Sequence, residues 1–166
     1  VDGLKGKRIG ILKRELGFHA RVDSLMKQVV ADLKSQGAEV IELEYDLERI
    51  VNAASFTVML YEFKDGLTSY FASLGDKARV KNLQELMEFN KKDSIELRFF
   101  DQNLLKLANE KGSLEDKEYK EALASMLNAT RENGIDKLLK ENKIDALMAP
   151  TGSPAWKTDL INGDHF

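Results

Sequence analysis

No cysteine occurs in the 166-residue chain. That excludes disulfides, thiolate zinc sites, iron–sulfur clusters and cysteine nucleophiles together. Proline occurs only twice, and both copies, Pro150 and Pro154, fall in one short stretch near the C-terminus. No run of about 18 apolar residues is present, so a transmembrane helix is not expected. The opening Val1-Asp2-Gly3-Leu4-Lys5-Gly6-Lys7-Arg8 lacks the apolar segment of a secretion signal, and the chain reads as cytoplasmic. Neither sign of charge dominates: 25 basic side chains face 28 acidic ones, for a net charge of -3. Nucleic acid and anionic membrane are therefore not expected as partners. Dinucleotide, Walker A, nucleophile-elbow, H-E-x-x-H and EF-hand motifs are all missing. The two histidines, His19 and His165, are far apart in sequence, so neither a metal site nor a cofactor is expected.

What remains is a chain that is 43% hydrophobic and 32% charged, the composition of one ordinary globular domain spanning residues 1–166. It starts without methionine and stops at Phe166, as expected of a segment of something longer. Lys7–Leu12 and Glu39–Leu43 read as strands. Between them Val22, Leu25, Met26, Val29 and Leu33 recur at helical spacing, with Gly37 placed for a left-handed cap. Such a β-α-β unit makes the two strands parallel.

A long, nearly all-round apolar segment follows from Asp46 to about Leu74 and predicts a buried helix. Further helices are expected over Asn82–Asn90, Asp93–Phe100, Gln102–Glu110 and Leu114–Lys140, the last interrupted at Asn133-Gly134. A final strand, Asp145–Ala149, runs into the proline-bounded loop. The expected fold is α/β, a small parallel sheet of about three strands in the order 2-1-3 with a long helical insertion. A ligand is then expected at the C-terminal strand ends, which carry Lys13-Arg14-Glu15, Glu44-Tyr45-Asp46 and the loop after Ala149.

Several local patterns have a chemical and a plain reading. Ser24 and Lys27 match S-x-x-K, whose companion motifs are missing, and read as helix residues. Asn128-Ala129-Thr130 is a formal glycosylation sequon inside an expected helix, and reads as chance. His19 precedes a helix and reads as hydrogen-bonded locally there. The Phe56–Tyr70 stripe reads as core. The strongest anomaly is the loop Thr151–Asp164, which gathers the sole tryptophan, hydroxyls, carboxylates and glycines after a strand. Nothing in the spacing fixes Ser153 against Lys157 as a nucleophile–base pair.

Leu4-Lys5-Gly6-Lys7-Arg8-Ile9-Gly10, Gly17-Phe18-His19, Phe56 to Lys64, Asp145 to Trp156 and Gly163-Asp164-His165-Phe166, in this order and spacing, resemble the C-terminal half of the amidase signature family. The resemblance implies hydrolysis of carboxylic amides, or ammonia release from glutamine in the glutamyl-tRNA amidotransferase A subunit. The implied machinery is a serine nucleophile, a second serine in a cis peptide and a lysine, carried in a Gly- and Ser-rich region. This chain has no Gly-Gly and no Ser-Ser. No catalytic residue is therefore assigned to it, and it is expected to be inactive alone.

By resemblance, Tyr61 and Glu62 on the long helix, and Thr151, Gly152, Trp156 and Asp159 in the C-terminal loop, border the site for a small amide substrate in the complete enzyme. The competing reading is a non-catalytic binding or assembly module that self-associates through an exposed sheet edge. An amidotransferase A-subunit segment is the further alternative.

Overall fold

The computed structural model describes residues 2–45 and 48–163, with only the backbone of residues 48–52. Asp46, where the long helix was expected to begin, and the matching residues 164–166 lie outside the described residues.

Strands β1 (Arg8–Leu12) and β2 (Glu39–Leu43) flank helix α1 (Ala20–Ser35) in sequence, and β3 (Ala146–Met148) comes last. All pair in parallel, as the crossover argument requires, and in the expected order β2-β1-β3. In register, Ile9 faces Val40 on one side and Ala146 on the other. Central β1 is almost wholly buried while the flanking strands are partly exposed. Helix α1 is tied off by Gly37 at φ +88°, a conformation in which a Cβ is strained, and the chain turns directly into β2. Of the expected stripe on α1, Met26 is buried, whereas Leu25 is 58% exposed: the buried face lies one position round from the simple spacing.

Helix α2 (Glu48–Ser73) is continuous through Gly66. It is followed by α3 (Leu83–Asn90), α4 (Asn103–Asn109), α5 (Lys117–Leu127) and α6 (Asp136–Asn142). The expected burial of α2 on all sides is corrected here. Val58, Leu60 and Tyr61 are buried, but Phe56, Met59, Phe63 and Tyr70 remain exposed, because the shorter helices packed on α2 cover one side only.

The expected Asp93–Phe100 helix is also corrected, since the segment forms successive turns. The Asp93 carboxylate accepts from the amides of Ile95 and Glu96 at 2.8 and 3.4 Å, the pattern of a helix N-cap, but the winding does not continue into a helix. Ile95, Phe99 and Phe100 are all exposed, so no apolar face is buried to stabilise further turns. The anticipated interruption at Asn133-Gly134 is real. Asn128–Ile135 is wound as a π-helix, with Gly134 non-helical at φ -108°, ψ -115°.

The chain divides into two compact units. One holds the described residues up to Ile50 together with Asn128–Thr158, and the other Val51–Leu127 with Asp159–Gly163. The core of the sheet unit is Leu12, Leu43 and Ile144, flanked by Ile41, Tyr45 and Leu147. The helical unit has two clusters. Val58 and Tyr61 meet Tyr119 of α5, and Leu60 meets Leu83 of α3 and Ala108 of α4.

Candidate functional site

In the sheet unit, the C-terminal end of β1 continues into a 3-10 turn, Lys13–Glu15. The Lys13 ammonium lies 3.3 Å from Glu44 and 3.5 Å from Glu42, and Glu44 first, then Glu42, holds its pKa above the ordinary lysine value. Next in the chain, the Gly17 amide donates to Asp23 at 2.9 Å, and His19 caps α1 by accepting the Val22 amide on Nδ1 at 3.4 Å. His19 is thus a helix cap, the local role expected of it. Ser24 and Lys27 are both exposed residues of α1.

After β3 the chain enters the proline-bounded loop. Thr151 is exposed and Gly152 half-buried. Trp156 is 38% exposed, so its ring is not an interior anchor. The Ser153 hydroxyl donates to the Pro154 carbonyl at 3.4 Å, which does nothing to activate it as a nucleophile.

In the helical unit, Asp159 and Gly163 form an antiparallel bridge closed by a turn with Gly163 at φ +77°. The Asp159 carboxylate accepts the amides of Ile161 and Asn162 at 2.8 and 2.7 Å. The Asn162 amide, then that of Ile161, holds Asp159 below the usual aspartate range. Asp159 therefore organises its own turn.

Tyr61 and Glu62 stand in a network that the sequence did not announce. Tyr61 donates its hydroxyl to Glu118 at 2.6 Å, and Tyr119 donates to Glu62 at 2.9 Å. The two Tyr/Glu neighbour pairs thus bind each other reciprocally, with the rings 5.5 Å apart. Lys111 adds an ion pair to Glu118 at 2.8 Å and lies 5.3 Å from the centre of the Tyr61 ring. Lys64 donates to the carbonyls of Asn109 and Lys111, at the C-terminal end of α4 where carbonyls lack helical partners.

Glu118 raises the Tyr61 pKa to about 12, helped by burial. Glu118 itself is held low, first by Lys111 and then by Tyr61. At neutral pH this cluster is a neutral phenol on an ionised, paired carboxylate, so it binds and positions and supplies no activated base. A cavity of about 700 Å³ opens beside it, lined by Phe56, Leu60, Tyr61, Leu107, Lys111 and Glu118 among others. The order Tyr-Glu on α2 and Glu-Tyr on α5 was visible in the sequence, but periodicity within one helix says nothing of which other helix it meets.

Of the six expected site residues, the structure places Tyr61 and Glu62 side by side on α2, each bonded to α5. Thr151, Gly152 and Trp156 belong to the loop of the sheet unit, and Asp159 to its own turn. Among the described residues no cluster of histidine, aspartate and glutamate is arranged to hold a metal ion. No helix formed by the described residues is long and apolar enough to cross a membrane.

A family model described as Amidase matches residues 2–161. The chain belongs to the amidase family. A probable amidase of Arabidopsis thaliana is 31% identical over 155 residues, which are 89% of this chain and 28% of that protein. Among solved amidases, the peptide amidase of Stenotrophomonas maltophilia is 35% identical with a TM-score of 0.84, covering 93% of this chain and 32% of its own. A peptide amidase in complex with the competitive inhibitor chymostatin is 34% identical, with a TM-score of 0.88 over 98% of this chain and 33% of its own. An amidase-family protein of Bacillus anthracis is 27% identical with a TM-score of 0.70, covering 88% and 28%. The chain thus spans about a third or less of the length of these amidases.

Proposed function

We propose that this chain is the scaffold and substrate-pocket portion of an amidase-type hydrolase acting on carboxylic amides, and that it is inactive by itself. The observation that carries the reading is a pair of facts taken together. The amidase match runs from residue 2 to residue 161, yet that sequence contains no Ser-Ser or Gly-Gly from which the family's serine–serine–lysine machinery could be built. Without an activated nucleophile the covalent route to amide cleavage is closed. Ser24, on an exposed helical face, and Ser153, bonded to a backbone carbonyl, are not poised to replace it.

The substrate class we favour is a small peptide amide, supported by identity of 34–35% to peptide amidases. Thr151, Gly152 and Trp156 supply backbone and aromatic surface to the pocket. In the helical unit, Tyr61 and Glu62 are held by their bonds to α5, and in the complete enzyme they contribute to substrate binding. Catalysis then requires nucleophile, relay and base from residues outside these 166.

The test is the mass of the protein as its own cell makes it, captured with an antibody raised against this segment. A species of roughly three times 18.7 kDa supports the reading, given the share of the solved amidases that this chain covers. A species of 18.7 kDa with no companion chain overturns it in favour of a stand-alone module.

A further inference from the structure

On helix α2, Phe56, Met59, Phe63 and Tyr70 are each between 42% and 56% exposed, outside the apolar clusters of the helical unit. With Gly66 they recur at alternating intervals of three and four residues along the helix. At about 100° per residue these five positions fall on one narrow strip, and none of them is charged. The core-facing side is distinct: Val58, Leu60 and Tyr61 lie on the neighbouring arc and are buried against α3, α4 and α5. A strip with that spacing is the seam a helix offers to one helix lying alongside it.

Gly66 gives the seam a second, independent mark. It is exposed in the interior of a 26-residue helix, where glycine costs stability against any ordinary helix former. Nothing lies within 4 Å of the place its Cβ would take, so no neighbour among the described residues calls for glycine there. Close approach of a second backbone to α2 at that point does call for it.

Length points to the occupant. This chain matches a third of a solved peptide amidase over almost its whole length. The chain that makes up the other two thirds of such an enzyme has to pack against it, and the seam offers that chain about 21 Å of regular apolar surface from Phe56 to Tyr70. We propose that a helix from the remainder of the amidase chain lies along this seam and comes nearest to α2 at Gly66. The inference rests on the reading that these 166 residues are one portion of a longer amidase.

Hydroxyl-radical footprinting read by mass spectrometry tests it, on the protein as its own cell makes it and on the 166-residue chain side by side. Met59, Phe63 and Tyr70 should be oxidised in the 166-residue chain and should lose that oxidation in the longer protein. A second measurement uses Gly66→Leu. The substitution should raise the melting temperature of the 166-residue chain, because leucine favours the helix and meets nothing there, and lower that of the longer protein by crowding the helix beside it. A longer protein whose seam is oxidised as heavily as the 166-residue chain, or that gains stability from Gly66→Leu, overturns this inference and leaves the amidase reading standing. A native species of 18.7 kDa overturns both, and protection of its seam that grows with concentration then assigns the seam to a second copy.

Discussion

Gly10 sits in the middle of the central strand, and its missing side chain is what lets the core close. A Cβ there would come within 2.5 Å of Leu43 Cδ1 and 2.7 Å of Ile144 Cδ1, so both core side chains would have to shift to admit it. Gly10→Ala is expected to destabilise the protein by about 1–3 kcal/mol through overpacking, read from the midpoint of a urea denaturation curve. Tyr61 makes a prediction of a different kind. Its neutral hydroxyl is stabilised by Glu118, so the folded pKa stands at about 12 against about 10 in an unfolded chain. A phenol raised in this way contributes stability that is whole below the unfolded value and lost as pH climbs through the folded one. Stability should therefore fall between about pH 10 and 12. The fall should be shallower in Tyr61→Phe, which should also lack the late step in phenolate absorbance. An unchanged late step would assign that titration to another tyrosine.

At the scale of elements, Asp145 ties the start of β3 to the start of β1. Its carboxylate accepts the Arg8 amide at 2.9 Å and the Lys7 ammonium at 2.8 Å, and these bonds, the amide first, hold it below the usual aspartate range. Stability from a depressed acid is present above the unfolded pKa and is lost as pH falls through the folded one. Asp145→Asn should weaken β3 docking at neutral pH and flatten the acid limb of the stability profile, with amide hydrogen exchange rising first in β3. Gly134 plays the matching part in the π-wound stretch, where a Cβ would lie 2.5 Å from the Ala129 carbonyl oxygen. Gly134→Ala should cost about 1–3 kcal/mol, measurable by thermal or urea unfolding.

The sheet was legible from the sequence, because β-branched runs, a periodic helix and Gly37 agree on one βαβ unit, and its order follows from chain geometry. The Asn133-Gly134 break was legible for a similar reason: glycine marks it locally. What failed were judgements in which a segment's own pattern lost to its surroundings. The turns after Asp93 found no surface on which to bury Ile95, Phe99 and Phe100 and did not grow into a helix, and α2, apolar on every side, found neighbours on one side only. The candidate site divides in the same way. The family resemblance singled out Tyr61 and Glu62, but their bonds to Glu118 and Tyr119 join helices far apart in sequence and leave no periodic trace.

For the whole molecule, the central claim is that an amidase-family scaffold stands here without the groups that break the amide. Among the described residues, the network of α2 and α5 is a neutral phenol on a paired carboxylate, with Lys64 on the carbonyls that end α4, which suits it to holding and positioning. The direct measurement is ammonia release from a C-terminally amidated dipeptide, first by this 166-residue chain alone and then with the preceding part of a related peptide amidase added as a separate chain. The account predicts no release above the buffer rate from the chain alone, and release once the chain carrying nucleophile, relay and base is supplied. Turnover by the 166-residue chain alone that is lost in Ser153→Ala or Ser24→Ala, and so belongs to the chain and not to a contaminant, would contradict the claim that catalysis lies outside it.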